Sequence, residues 1–154
     1  MFREMRKKER QMTEEEATKA LEKGSNGVLS VIGDDGHPYG VPLSYSYKEG
    51  KIYFHCAITG HKLDAIKNDE RVSFTVVTKD DVVAENFTTN FESVIAFGRA
   101  KIIKDEGKIV PAKMHIADKY SKGYEKEAMD HIRSAMGRFY IVEIEIDHMT
   151  GKKR

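Results

Sequence analysis

Two periodicities alternate along the chain, and the change from one to the other marks out its elements. From Tyr39 the apolar positions recur every second residue. Val41, Leu43, Tyr45 and Tyr47 fall on one face, and Pro42, Ser44 and Ser46 on the other, which predicts a strand over Tyr39–Tyr47. Lys48-Glu49-Gly50 supplies a turn, and Lys51–Ala57 reads as the returning strand of a hairpin. Ile52, Phe54 and Cys56 share one of its faces, with Tyr53 and His55 opposite. The spacing then turns helical. Leu63, Ile66 and the polar run Lys67-Asn68-Asp69 predict a short helix with Thr59 as N-cap. Alternation returns at Val72, Phe74 and Val76, within a strand over Arg71–Val77.

The flanks extend this pattern. Gly27–Ile32 is a short apolar strand, and Gly33-Asp34-Asp35-Gly36 is a turn by composition. Lys79–Asn90 has mixed polarity and reads as a loop before a strand over about Glu92–Ile103. Phe139–Ile146 is the last strand. Thr13 and Glu16 form a capping box for a helix that ends near Lys23, with Ala17, Ala20 and Leu21 as its apolar stripe. Residues 108–138 are helical by pattern, broken at Ser121-Lys122-Gly123, with Pro111 suited to a first turn. Six short strands with helices at the periphery predict a mainly β protein: a closed or nearly closed antiparallel barrel in one domain over residues 1–154. Residues 1–12 form a charged arm carrying Phe2 and Met5. It is either mobile or packs on a second subunit.

Charge narrows the partners. The 26 Lys+Arg nearly cancel the 25 Asp+Glu, and a net charge of +1 gives no electrostatic case for nucleic acid or an anionic membrane. No apolar run approaches the ~20 residues that span a bilayer. The single cysteine, Cys56, cannot make an internal disulfide, which fits a cytoplasmic protein, and its place in the alternation suits a buried, inert thiol. The six histidines lack the paired spacings of zinc or iron sites, so no metal is expected; His115 and His131 read as solvated helix positions. No serine or cysteine sits in a nucleophile-elbow context, which removes acyl transfer. One feature suits an anion: Gly60-His61-Lys62 at the start of a helix after a strand, where free N–H groups, the helix dipole and a lysine converge. A plain strand-to-helix turn with a solvated lysine accounts for the same residues.

Four blocks in order, YGVPLSYSY, YFHCAITGHKLDAIKND, RVSF and SVIAFGRA, resemble the FMN-binding split-barrel family typified by pyridoxamine 5′-phosphate oxidase. The opening MFREMR is similar to its Nim-type 5-nitroimidazole-resistance branch. The resemblance implies a six-stranded split β-barrel that binds FMN. Val41, Pro42, Leu43, Ser44 and Tyr45 would lie along the ring and ribityl chain, and His55 and Cys56 would make a second ring contact. Gly60, His61 and Lys62 would grip the phosphate, and Ser93 would hydrogen-bond the ring edge. It also implies a homodimer with flavin between the subunits, NADH or NADPH as electron donor and a small acceptor such as a nitroimidazole. If His61 points at the ring rather than the phosphate, it becomes a catalytic residue or a site of covalent modification. The chain has no tryptophan. The tryptophan- and arginine-bearing C-terminal segment of the true oxidases is missing, as in the Nim-type branch, so vitamin B6 oxidation is not implied. Two other readings share the fold: a non-catalytic module for flavin or haem, and a sensor of an anionic ligand.

Overall fold

The computed structural model describes residues 1–154 and arranges them round a single antiparallel sheet. Its strands are β1 (Gly27–Ile32), β2 (Pro38–Leu43), β3 (Ser46–Lys48), β4 (Lys51–Ala57), β5 (Arg71–Val83), β6 (Thr88–Ile103) and β7 (Phe139–Lys153). They lie in the order β2-β1-β5-β6-β7-β4-β3, which makes β2 and β3 the two edges. Only Ser44 and Tyr45 separate those edges in the chain. At ~3.3–3.6 Å per residue, that link holds opposite edges within about 10 Å and forces the sheet to curl. The wall stays split between β2 and β3, which do not pair. The molecule is the expected split barrel, mainly β with peripheral helices.

Seven strands stand where six were expected because Tyr39–Tyr47 is not one strand. Tyr45 leaves the extended path and turns its ring fully into the barrel, 4.9 Å from Phe74 in an edge contact. Its hydroxyl donates to the Leu21 carbonyl. β3 then resumes and returns to β4 through a two-residue turn at Glu49 (φ 48°) and Gly50 (φ 80°), the paired positive dihedrals of a type I′ hairpin. The barrel interior is filled by side chains such as Leu29, Val31, Ile52, Phe54, Phe74 and Ile144.

Helix α1 (Glu14–Lys23) starts with the predicted capping box: Glu16 N–H donates to Thr13 Oγ1 at 3.2 Å, and Thr13 N–H to Glu16 Oε2 at 3.0 Å. Leu21 and Ala17 bury its apolar stripe. Helix α2 (His61–Asn68) puts Leu63, Ala65 and Ile66 into the barrel core. Its N-cap is Gly60 rather than Thr59, because the chain turns there at φ 144°, where glycine alone is unstrained.

The predicted helical interval is α3 (Glu106–Tyr120) and α4 (Glu125–Ala135), hinged at Ser121–Gly123. Pro111 lies inside α3 instead of in its first turn, because Asp105 caps the helix earlier by accepting from the Gly107 N–H at 2.9 Å. Ile109, Ile116 and Ile132 pack with Ile103, Phe139 and Ile141 into a second apolar cluster outside the barrel. β7 is therefore buried on both faces where Ile141 and Val142 adjoin, so its alternation is masked there.

Two further boundaries move. Residues 79–90 are a hairpin rather than a loop: β5 and β6 stay in register from Lys79↔Glu92 to Val83↔Thr88 round a tight turn at Ala84–Asn86. This ribbon has no core side, with Val82 and Phe87 exposed, so nothing imposes alternation on its sequence. β7 runs on to Lys153 instead of ending at Ile146, paired with β6 past a bulge opposite Phe97 and Gly98.

Candidate functional site

The segment from β4 through the first turn of α2 places the candidate residues in two groups. The first is the start of α2. The N–H groups of Leu63 and Asp64 both donate to the Gly60 carbonyl at 3.1 Å, while those of His61 and Lys62 have no backbone acceptor. Two free donors and the positive end of the helix dipole thus lie together, and the half-buried Lys62 belongs to the same first turn. Lys62 has no ion-pair partner, whereas His61 is engaged. Its ring stacks on Tyr39 at 4.2 Å, its Nε2 accepts a long 3.4 Å bond from the Asp34 N–H, and the Asp34 carboxylate lies 3.8 Å away. His61 faces the β1–β2 turn, so it reaches a ring bound elsewhere only by leaving Tyr39.

β2 runs beside this point as an edge strand. Val41 and Leu43 are half-buried against the barrel core, and Pro42 and Ser44 are exposed. The side of β2 away from β1 has no strand partner, which leaves main-chain donors and acceptors free for a planar heterocycle. Two of the expected contacts are corrected. The Tyr45 ring and the Cys56 thiol point into the core, with 0% and 6% exposure, so neither side chain meets a surface ligand. Burial also pushes the Cys56 thiol up, against a smaller lowering by Lys62, which keeps it unreactive.

The second group is a groove of about 510 Å³ between α3, α4 and the split in the barrel. Ser44 and His55 line it from the barrel side; Lys113, Tyr120, Glu127 and His131 line it from the helices. Ala117 and Ala128 leave room between the helices, which the sequence offers as small residues one turn from charged ones. Of these helical residues the sequence singles out only His131, as a solvated position, and it is exposed. The available signal was the set Lys113, Ala117 and Tyr120 at spacings of four and three, which place them on one face of α3.

Tyr120 also fastens this region. Its hydroxyl donates to the Ser25 carbonyl at 2.6 Å, lies 2.9 Å from the Tyr45 carbonyl and receives the Tyr45 N–H at 3.0 Å. Lys119 beside it donates to the carbonyls of Gly24 and Tyr45 and sits 3.9 Å over the Tyr45 ring. Together they satisfy the main chain left unpaired where β2 breaks into β3.

His115, expected to be solvated, is half-buried, with Nδ1 2.9 Å from the buried Ser46 hydroxyl under α3. Burial holds both His115 and His55 below the ordinary histidine range. Unfolded, both bind protons near pH 6.5. The folded chain then binds fewer protons, so stability is full above that value and declines as pH falls through it. Urea midpoints are expected to drop between pH 7.5 and 5.5, and His115→Gln to remove part of the drop; a flat midpoint would contradict this.

Ser93 stands apart. It lies on β6 between Val77 and Lys152, three strands from β2 and two from β4. At ~4.8 Å per strand that is roughly 10–15 Å round the wall. Within one chain it does not join Ser44 and His55. No group of three metal-ligating side chains is assembled anywhere, and no helix is long and apolar enough to cross a membrane.

Fold and site together define a split-barrel protein with a lysine and two free N–H groups at a helix start beside an open strand edge. The sequence model of the pyridoxamine 5′-phosphate oxidase family matches residues 13–153, and the chain belongs to that family. No curated protein matches it. Among solved structures, it is similar to a candidate 5-nitroimidazole antibiotic resistance protein from Bacteroides thetaiotaomicron (20% identity, 92% of this chain and 85% of that one, TM-score 0.77). It is also similar to the flavocytochrome Anf3 from Azotobacter vinelandii (20% identity, 98% and 72%, TM-score 0.85). A third is the FAD and haem binding protein from Mycobacterium smegmatis (18% identity, 94% and 73%, TM-score 0.80). At such identities these likenesses establish the fold.

Proposed function

We propose that the protein is a flavin-binding oxidoreductase, working as a homodimer, that uses FMN to reduce small acceptors of the nitroimidazole kind. The observation that carries this reading is the start of α2, where Lys62 and two unpaired N–H groups share one turn beside β2, whose outer edge is open. A phosphate suits the first and a flat heterocycle the second. The family match and the flavin named in two of the similar structures support the choice of ligand. Gly60 gives the close main-chain approach, and Val41, Pro42, Leu43 and Ser44 supply the strand along which the ring lies. A flavin held there would supply the redox chemistry, with a reduced nicotinamide as hydride donor and the small acceptor as electron sink. This chain's part is to bind, orient and shield, and to offer a proton donor in His55, since the Nε2 of His61 is already taken by Asp34.

Ser93 supports the dimer. It lies on the outer face of β1, β5 and β6 with exposed Val28, Ile32, Val77, Ile95 and Phe97. Phe2 packs on its own chain here, stacked on His148 at 4.7 Å and tilted on Phe97 at 5.3 Å, and stays 45% exposed. The arm thus enlarges a patch that a second copy would cover, and the second copy's Ser93 would complete the first copy's site.

Purified protein is expected to be yellow and to be bleached by NADH or NADPH, with colour restored by a nitroimidazole. Lys62→Ala is expected to weaken FMN by about tenfold or more and riboflavin hardly at all, because only FMN has the phosphate and a charge-assisted hydrogen bond contributes ~1.5–3 kcal/mol. Equal losses would move Lys62 out of the phosphate site. A protein that takes up no flavin would remove the reading, and one that binds flavin without turnover would be a flavin-binding module.

A further inference from the structure

The groove between α3, α4 and the barrel carries a charge pattern that phosphate binding at α2 leaves unexplained. It continues into a second compartment of about 340 Å³, and the two share His55, Lys113, His131 and Ile132. Lys113 is half-buried and makes no ion pair; its ammonium rests 5.8 Å over the Phe139 ring. Burial lowers its pKa, and Lys113 and His131 both depress His55 after the larger effect of burial, so the three groups lie close enough to repel. Arg138 closes the far end. Against these stands one acid, Glu127, which is exposed. The remaining wall is mixed: Ile116 and Ile132 form its apolar part, and Ser44 and Ser121 add hydroxyl groups.

A half-buried ammonium without an ion pair loses part of its hydration, and a cation–π contact with Phe139 offsets only part of that loss. A ligand is the simplest counter-ion. We propose that this groove is a binding site for a small organic carboxylate with an apolar body. Its carboxylate would lie between Lys113 and the imidazoles of His55 and His131, and its body on Ile116 and Ile132. A single negative charge matches the one permanent cation shared by both compartments, and Ile116 and Ile132 give an apolar body a contact that a free phosphate dianion would not use. Because Ser44 and His55 belong both to this groove and to the expected flavin contact, the carboxylate is assigned as the acceptor's handle. That last step rests on the flavin reading, while binding itself does not.

The test is a titration of the full-length protein with benzoate, followed by the histidine ring C–H resonances and run on flavin-free and flavin-loaded samples. His55 and His131, assigned through His55→Gln and His131→Gln, are expected to shift saturably. Benzamide, of the same shape but neutral, is expected to bind about tenfold or more weaker. Lys113→Met, which keeps the stem and removes the charge, should weaken benzoate by a similar factor. Glu127→Gln should tighten it severalfold by removing the competing carboxylate. If Lys113→Met does not fold, the surface variant Glu127→Gln decides alone. Equal binding of benzoate and benzamide, an unchanged affinity in either variant, or shifts confined to other histidines would overturn the proposal. Benzoate binding by a protein that takes up no flavin would keep this site and remove the reading above, and flavin uptake without benzoate binding would do the reverse.

Discussion

Ile95→Lys is expected to turn the proposed dimer, of twice 17.5 kDa, into a monomer and to release most of the flavin proposed to lie in it. Ile95 is 40% exposed at the middle of the outer face, opposite Thr75 on β5 and Thr150 on β7. Around it the same face carries Val28, Val77, Phe97 and Phe2. In a two-fold assembly each substitution occurs twice, so two ammonium groups would enter one interface without a partner. Uncompensated charge there costs several kcal/mol, against about 1.5–3 kcal/mol from burying one such apolar side chain. Charge therefore wins over the remaining contacts. Sedimentation of wild type and variant at micromolar concentration, read at protein and flavin wavelengths, checks both halves. A wild type that sediments as a monomer with flavin bound would place the whole site within one chain, and Ser93 outside it.

Gly98→Ala should be the most damaging single-methyl change in the chain. Gly98 sits beside the bulge where β7 carries one extra residue against β6, and a Cβ there would overlap the Glu145 carbonyl oxygen and crowd Ile144 Cγ2. The obstacle is main chain, so no rotamer relieves it. The strands cannot separate either, because pairs hold them from Glu92↔Lys153 to Ile103↔Ile141. Overpacking a core usually costs 1–3 kcal/mol, and a backbone clash inside a continuous ladder belongs at or above about 3 kcal/mol. Urea unfolding measures it; a midpoint equal to wild type would mean that the bulge yields freely.

Most of the barrel was readable because each strand with one wet face keeps its alternation. Ile52, Phe54 and Cys56 against Tyr53 and His55 is such a case, and the Thr13 capping box and Glu49-Gly50 turn are equally local. The failures share a cause in long-range contact. Tyr45 continues the alternation of Val41 and Leu43, and nothing local reveals that its hydroxyl will meet Leu21 and break the strand in two. The ribbon over residues 79–90 has no buried side, so its pairing leaves no mark on polarity. The start of α2 was legible as a short contiguous motif. The groove was not, since it brings His55 on β4 against Lys113 and His131 from two later helices, and each reads alone as an ordinary surface residue.

The fastening made by Tyr120 and Lys119 bears on the order in which the molecule assembles. It joins the end of α3 to Gly24, Ser25 and Tyr45, positions 74 to 95 residues away in sequence. Closing so long a segment is entropically costly until the intervening strands are in place. The barrel is therefore expected to curl first, with α3 docking last across the split between β2 and β3. Contacts that form after the rate-limiting step slow unfolding and leave the folding rate alone. The lifetime of the folded barrel, rather than the speed of reaching it, is thus expected to depend on Tyr120, on the wall of the groove, and on the adjacent Lys119.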